Sequence, residues 1–191
     1  YVGQIIEAKG VGDAVRALAI LRRRGLDATL TLVGAGDSEA FMSLAREQGV
    51  AEQVTLAGLL PHDRVLAEMR AHEVVLVPSH HDYPEGLPMT LYEALCVRTP
   101  LVVSDHPMFA LRIHDGEQAL VHPQRDPEAM ADRIERLVSD PQVYEAFSRQ
   151  AETAVRNYLC PLKWDRLLED FLDPATRKDL RRYSLARHSY F

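Results

Sequence analysis

The chain has 191 residues, of which 47% are hydrophobic and 26% are charged, and its formal net charge is -6. This composition is typical of a globular protein with one large domain or two small ones, and the acidic balance argues against nucleic acid as a partner. No apolar run approaches the roughly 18 residues of a membrane span, and two cysteines are too few for a disulfide scaffold, so a cytoplasmic location is expected.

Short apolar runs alternate with helical patterns along the first two thirds of the chain. The predicted strands are Val2–Ile6, Ala28–Val33, Val54–Ala57, Val74–Val77, Leu101–Ser104 and Ala119–Val121. Helical periodicity predicts helices near residues 12–24, 38–48, 62–72 and 88–98. Because such strands are apolar on both faces and are joined by helices, we expect a doubly wound (Rossmann-like) α/β fold, with a parallel sheet of about six strands and helices on both faces.

The last third of the chain predicts helices. Asp126-Pro127 and Asp140-Pro141 each place a capping carboxylate before a proline at the first helical position, and one more helix is expected after Pro161. We therefore predict a domain over residues 1–158, followed by a helical extension or tail over residues 159–191.

The loops that follow the strands are the candidate site, because ligands of open parallel sheets bind beyond the carboxyl ends of the strands. Gly34-Ala35-Gly36 follows a strand and opens a helix, as a dinucleotide fingerprint does. Glu39 stands at the third glycine position and Thr55-Leu56 stands where an acid is required, so a tight turn is favoured over an NAD site. No Gly-Lys-Ser/Thr tripeptide occurs, which excludes a Walker loop.

The segment from Pro78 to Leu95 is the most informative, because it leaves a strand, crosses a polar loop and enters a helix. Pro88 is predicted as the first helical residue. Since proline has no N–H, the free donors of the first turn belong to Met89 and Thr90, and together with the positive helix end they predict an anion site.

Two glutamates and one lysine complete this pattern. Glu85 lies just before the helix, and Glu93 lies off the apolar stripe of the helix, so both can accept hydrogen bonds from hydroxyl groups. The ammonium group of Lys9 can bind a diphosphate through its positive charge. An anion site beside two such carboxylates suits a phosphorylated sugar or a nucleotide sugar. The alternative is that none of the three binds a ligand. Glu85 would then be an ordinary loop acid, Glu93 a solvated helix residue and Lys9 a surface lysine.

Taken in order, these elements resemble the C-terminal, donor-binding domain of retaining glycosyltransferases with the two-domain B-type fold. More narrowly, the chain is similar to their large fourth family, the glycosyl transferases group 1. The two glutamates separated by seven residues are that family's signature. The matching elements are Gly3-Gln4, Lys9-Gly10, Val33-Gly34-Ala35-Gly36, Val54 to Gly58, Pro78-Ser79, Glu85-Gly86-Leu87-Pro88, Glu93-Ala94, Thr99 to Ser104 and Asp115-Gly116.

The resemblance implies a role for each site residue. Glu85 would contact the hydroxyls of the donor sugar and Glu93 those of the ribose. Backbone N–H groups of Met89 and Thr90 would bind the distal phosphate, and Lys9 would neutralise the diphosphate, so that Lys9 and Glu85 are the catalytic pair. The other donor-binding residues implied are Gly3, Gln4, Gly34, Gly36, Gly58, Leu59, Gly86 and Leu87, with Gly58-Leu59 near the base.

The activity that the resemblance implies is that of a retaining hexosyltransferase. Its donor is a nucleotide-diphosphate sugar, its acceptor is a carbohydrate, a lipid or another small molecule, and no metal or other cofactor is implied. Because Tyr1 opens a predicted core strand, we expect a piece of a longer protein whose N-terminal acceptor domain precedes it. The piece alone should fold with little transferase activity, and the longer protein should be cytoplasmic or peripheral to a membrane.

One position departs from the family, which usually has arginine where this chain has Gln4. Glutamine donates hydrogen bonds, but it has no charge and cannot bind a phosphate with two parallel hydrogen bonds as arginine does. This leaves open a non-catalytic module that binds a nucleotide or sugar, or a sugar-nucleotide epimerase of related architecture.

Two other kinds of site are not predicted. His80-His81-Asp82 has no third ligand at convincing spacing for a metal ion, and Ser79 has no histidine–acid relay for a hydrolase.

Overall fold

A computed structural model describes residues 1–110, 112–158, 163–173 and 175. The strands are β1 (Leu30–Val33), β2 (Val54–Gly58), β3 (Val75–Val77), β4 (Leu101–Ser104) and β5 (Leu120–His122). The helices are α1 (Val11–Arg23), α2 (Ser38–Glu47), α3 (His62–Ala71), α4 (Met89–Val97), α5 (Pro107–Ala110), α6 (Pro127–Ser139), α7 (Pro141–Tyr158) and α8 (Trp164–Leu172). Nearly every predicted helix is found within two residues of its expected bounds.

The chain forms two compact units, Tyr1–Asn157 and Tyr158–Phe191. The second contains α8, whereas residues 159–162, 174 and 176–191 of the predicted extension lie outside the described residues. Within the described residues, no helix has both the length and the apolar character that crossing a membrane requires.

The strands pair in parallel throughout, which confirms the doubly wound α/β class. β1 pairs with β2, while β3, β4 and β5 form a three-stranded sheet in that order. The described residues thus contain five strands in two sheets, fewer than the predicted single sheet of about six.

The missing strand is the one predicted over Val2–Ile6. Only two isolated bridges form there, from Val2 to Val33 and from Ile5 to Gly36, although the backbone runs parallel to β1. A ladder hydrogen bond joins the Gly3 N–H to the Val33 carbonyl at 2.9 Å. Gly3 has φ 153° and Gly36 has φ 152°, so the pairing is interrupted by residues outside regular extended geometry.

One hydrophobic core spans both sheets. Leu32, Leu76 and Leu120, from three different strands, are buried in the same cluster as side chains of α1 and α6. The carboxylate of Asp126 accepts from the Ala129 N–H at 2.9 Å, which confirms the predicted capped start of α6 at Pro127. This packing holds the carboxyl ends of the strands, and the loops that follow them, at one edge.

Candidate functional site

The loops at the carboxyl edge are joined to each other by hydrogen bonds. The His80 N–H donates to the Ala8 carbonyl at 2.9 Å, which ties the loop after β3 to the turn before α1. The hydroxyl of Ser104 donates to the Ser79 carbonyl at 2.6 Å, which ties β4 to the same loop. Side chains from distant parts of the sequence therefore converge here.

Lys9 and Glu85 form a partly buried ion pair at this edge. The Lys9 ammonium donates to Glu85 Oε2, and only 12% and 9% of the two side chains are exposed. The Ser79 hydroxyl donates to the same carboxylate oxygen at 2.9 Å. The Lys9 ammonium also lies 4.5 Å from the centre of the Tyr83 ring, a cation–π distance. The structure thus brings the two predicted catalytic residues into direct contact.

Gln4 belongs to the same cluster, because two tyrosines hold it. The Tyr83 hydroxyl donates to Gln4 Oε1 at 3.1 Å, and the Tyr1 hydroxyl donates to the Gln4 carbonyl at 2.6 Å. Burial, with the charges of Glu85 and Tyr83, raises the pKa of the Tyr1 phenol, which keeps it a donor at neutral pH. Sequence reasoning missed both tyrosines, because neither Tyr83 in its polar loop nor Tyr1 at the start of a predicted strand belongs to a motif with a recognisable spacing.

The start of α4 offers free backbone donors, as predicted from the sequence. Helix α4 begins at Met89, and Pro88 is its extended N-cap rather than its first residue. The Leu91 N–H donates back to the Pro88 carbonyl at 3.1 Å, whereas the N–H groups of Met89 and Thr90 have no acceptor among the described residues. The Thr90 hydroxyl lies 3.4 Å from the Val2 carbonyl, which places this helix end beside the first segment.

Glu93 has different neighbours from Glu85. Its carboxylate is 16% exposed and lies 3.4 Å from Nδ1 of His62, the first residue of α3. Gly58 ends β2 and Leu59 begins the short loop between β2 and α3, and Leu59 is 79% exposed. The structure therefore places Glu93 beside the first residue of α3, which follows the Gly58-Leu59 segment by three positions, while Glu85 lies beside Lys9.

Gly34 and Gly36 have a structural explanation that does not involve a ligand. A Cβ atom at Gly34 would overlap the Gly3 carbonyl oxygen, and one at Gly36 would overlap the Ile5 carbonyl oxygen. Both glycines are thus required by the close approach of the first segment to the loop after β1. At Gly58 and Gly86 an added Cβ would meet no atom within 4 Å, so these two border open space.

The histidines of the Pro78–Leu95 segment take part in structural hydrogen bonds. Arg125 Nε lies 3.3 Å from His80 Nδ1, and since a guanidinium only donates, His80 Nδ1 accepts and its Nε2–H donates to Asp13 at 2.8 Å. His81 lies 2.8 Å from Asp105. Burial alone would raise the pKa of Asp105, but hydrogen bonds from the Gln124 N–H and His81 lower it. In the part of the chain that the structure describes, no group of three or more histidine, cysteine, aspartate or glutamate side chains could hold a metal ion.

A further histidine at this edge predicts a pH-dependent stability. His122 is 1% exposed, its Nδ1–H donates to the Pro123 carbonyl at 2.8 Å, and its Nε2 has no partner among the described residues. Burial lowers the pKa of His122 despite the nearby carboxylates of Asp105, Asp13 and Asp126. The unfolded chain therefore binds a proton at about pH 6.5, which the folded chain takes up only at lower pH.

We expect the free energy of unfolding to fall as the pH drops below about 6.5, with a His122 contribution of up to about 1.4 kcal/mol per pH unit. The variant His122→Leu should show a shallower slope in urea unfolding between about pH 6.5 and 5. His114→Leu, at an exposed position, controls for the loss of one histidine. Equal slopes in the parent and in His122→Leu would contradict the prediction.

Comparison with known proteins shows which family the chain is similar to. The family model described as "Glycosyl transferases group 1" matches residues 1–154. The chain is 35% identical to alpha-D-kanosaminyltransferase of Streptomyces kanamyceticus over 156 residues, which cover 81% of this chain and 39% of that protein. It is 30% identical over 165 residues to glycogen synthase of Mycobacterium tuberculosis, covering 86% of this chain and 38% of the relative.

Solved structures agree on the fold. The C-terminal domain of the group 1 glycosyl transferase LpcC from Francisella tularensis superposes with a TM-score of 0.72 at 17% identity, covering 82% of this chain and 83% of that domain. HepE of Anabaena, solved in complex with UDP, gives a TM-score of 0.72 at 19% identity and covers 82% and 43% of the two chains. This chain spans about two fifths of the length of the curated relatives described above.

Proposed function

This chain belongs to the glycosyl transferases group 1 family, and we propose that it is the donor-binding half of a glycosyltransferase that transfers a hexose from a nucleotide-diphosphate sugar with retention of configuration. The observation that carries the proposal is the contact between Lys9 and Glu85, which puts one partly buried cation and one partly buried carboxylate at the carboxyl edge. Four residues after Glu85, α4 begins with two free N–H groups.

The first step of donor binding is an exchange of partners at Lys9. Without a ligand, its ammonium is neutralised by Glu85. A diphosphate offers the ammonium a stronger counter-charge, and the Met89 and Thr90 N–H groups share that charge at the helix end. Glu85, freed from lysine but still held by Ser79, is then available to accept from a hydroxyl of the sugar.

The same contacts support catalysis as well as binding. When the bond to the sugar breaks, negative charge grows on the leaving diphosphate. A fixed ammonium and a helix end stabilise that charge more in the transition state than in the ground state. The Tyr83 ring and its hydrogen bond to Gln4 restrict where the ammonium and the amide group can lie, so they act as positioning elements.

The nucleoside would lie on the side of α3 and α4. The Glu93 carboxylate lies 3.4 Å from His62 Nδ1, and its oxygens can accept hydrogen bonds from the two ribose hydroxyls. The exposed Leu59 and Met89 supply apolar surface nearby. We use uridine diphosphate as the probe, because HepE was solved with UDP.

Calorimetric titration of this chain with UDP and with 2′-deoxy-UDP tests the proposal. UDP should bind, and loss of the 2′-hydroxyl should weaken binding about tenfold because a charged hydrogen bond to Glu93 is lost. In Glu93→Gln the two ligands should bind with nearly equal, weaker affinity, whereas the exposed Glu47→Gln on α2 should retain the difference. The absence of any UDP binding, or a preference unchanged in Glu93→Gln, would contradict the assignment.

The second candidate is a non-catalytic module that binds a nucleotide or a sugar. Gln4 favours it, because the side chain at this position brings no charge and its oxygen is already occupied by Tyr83. An epimerase would convert the donor without an acceptor. Product analysis of a longer protein containing this chain, with and without an acceptor, separates transfer, epimerisation and simple binding.

The remaining parts of the proposal concern that longer protein. An N-terminal domain would supply most of the acceptor site for a carbohydrate, lipid or other small molecule, and a cleft between the domains would be needed for turnover. The domain over residues 1–158 would then bind the donor alone, and residues 159–191 would extend it. A place at the cytoplasmic side of a membrane suits such an enzyme.

A further inference from the structure

A buried histidine follows β4 at the carboxyl edge, and the proposed function gives it no role. His106 lies between β4 and α5 and is 3% exposed. Its ring packs against the ring of Phe109, with 4.9 Å between the two ring centres. Burial of a polar ring costs free energy unless its nitrogen atoms have hydrogen-bond partners. The partners of His106 therefore indicate what this ring does.

Both ring nitrogens of His106 have a backbone partner, and these partners fix the tautomer. The Met108 N–H donates to His106 Nδ1 at 3.2 Å. Because a ring nitrogen that accepts a hydrogen bond carries no proton, the ring is neutral and its proton lies on Nε2. The Nε2–H therefore donates to the Tyr83 carbonyl, which lies 3.2 Å away. His106 thus joins the loop after β4 to the loop after β3.

The Tyr83 carbonyl lies at a bend of the loop that carries the site. It also accepts from the Glu85 N–H, at 2.7 Å, across Pro84. The Tyr83 ring lies over the Lys9 ammonium, and the Glu85 carboxylate pairs with the same ammonium. The position of this one carbonyl group therefore helps to determine where both side chains meet Lys9.

Other contacts of the same loop lie in exposed positions. The His81 N–H donates to the Gln124 side chain at 2.7 Å, and His81 Nε2 lies 2.8 Å from Asp105 Oδ1. Water can take the place of a lost partner at such positions, so each bond contributes little. His106 is buried, and water cannot replace its ring nitrogen without a rearrangement of the surrounding side chains.

We propose that His106 is a positioning residue of the donor site: its Nε2–H holds the Tyr83 carbonyl, so that Tyr83 and Glu85 face Lys9. As far as the nucleotide is concerned, this inference rests on the proposed function. His106 acts through the loop after β3 rather than by contact with the donor. Its loss should therefore weaken binding at the diphosphate end and leave the nucleoside end, at Glu93, unchanged.

Two substitutions separate the two hydrogen bonds of the ring. His106→Gln can place an amide N–H where Nε2 lies, so it keeps the bond to Tyr83 and loses the acceptor for Met108. His106→Asn can place an amide oxygen where Nδ1 lies, so it keeps the bond to Met108 and loses the donor to Tyr83. The two variants are matched in burial and polarity, and urea unfolding compares their stabilities.

His106→Asn should bind UDP about three- to tenfold more weakly than the parent chain, whereas His106→Gln should bind it with nearly parent affinity. Calorimetric titration measures both. Uridine lacks the diphosphate, so by NMR titration its weaker affinity should be the same in all three chains. A role in stability alone would not separate UDP from uridine, and equal losses of UDP affinity in the two variants would overturn the proposal.

A second measurement needs no nucleotide. Amide exchange at Glu85 should be about three- to tenfold faster in His106→Asn than in the parent chain or His106→Gln, because the Glu85 N–H shares the Tyr83 carbonyl. Equal exchange rates in the two variants would overturn the proposal. If the parent chain does not bind UDP, the proposed function fails, while this comparison still tests the role of His106 in the loop.

A third measurement needs no variant, so it applies even if neither variant folds. The nitrogen resonances of the imidazole in the parent chain should show the His106 proton on Nε2. A proton on Nδ1 would remove the donor to Tyr83 and would overturn the proposal.

Discussion

Replacing Lys9 with methionine is expected to lower the affinity of this chain for UDP by about ten- to a hundredfold. A hydrogen bond to a charged group contributes about 1.5–3 kcal/mol, and about 1.4 kcal/mol corresponds to a factor of ten in affinity. Methionine keeps the length and apolar stem of lysine but removes the ammonium that faces Glu85 and the Tyr83 ring. Calorimetric titration measures the change, and Lys163→Met, a substitution in the other compact unit, is the matched control.

The Lys9 variant also disturbs the fold, so a second substitution is needed to separate the two effects. Without lysine, the Glu85 carboxylate is left buried with Ser79 as its hydrogen-bond donor. Breaking a fully buried pair costs about 3–5 kcal/mol because one charge remains uncompensated, so this partly buried pair should cost less than that. The double variant Lys9→Met/Glu85→Gln removes both charges, and we expect it to recover most of the stability in urea unfolding without recovering UDP affinity. Parent-like UDP binding by the double variant would show that the nucleotide lies elsewhere.

The sequence predicted the α/β class because strand and helix periods are local properties. Apolar runs covered on both faces indicate a parallel sheet, and Asp-Pro pairs mark helix starts, so β1 to β5 and α6 could be found without tertiary information. The predicted strand over Val2–Ile6 failed in part, because its ladder depends on Gly3 and Gly36 and on neighbours at both edges. A strand's existence depends on its partners as much as on its own residues.

The sequence predicted which residues the candidate site would contain, but it did not predict which side chains would contact each other. Residue type and loop position predicted that Lys9, Glu85 and the start of α4 lie at one edge; the structure brings Lys9 and Glu85 into contact, and their roles in binding and catalysis stay predictions. The direct Lys9–Glu85 pair joins residues 76 positions apart, and no spacing in the sequence indicates which carboxylate a lysine will contact. The tyrosine–Gln4 contacts were missed for the same reason. In both cases the chemistry depends on tertiary packing that a pattern of residue types does not encode.

Gly10 provides the sharpest test of how the fold builds this site. It has φ 72° in the left-handed region, closes the turn that carries Lys9, and is the N-cap of α1. A Cβ atom there would overlap the Pro78 carbonyl oxygen and lie 2.8 Å from the Pro78 carbonyl carbon. Backbone on both sides of this contact is fixed, because the His80 N–H is bonded to the Ala8 carbonyl.

Gly10→Ala should therefore cost about 2–5 kcal/mol, the sum of left-handed strain and a backbone overlap that neither loop can relieve. Gly49→Ala is the matched control, because Gly49 has the same φ of 72° but no atom within 4 Å of its added Cβ. It should lose only about 1–2 kcal/mol in urea unfolding. Since Pro78 precedes the serine that holds Glu85, the Gly10 variant should also bind UDP more weakly, whereas equal losses in the two glycine variants would refute close contact between these loops.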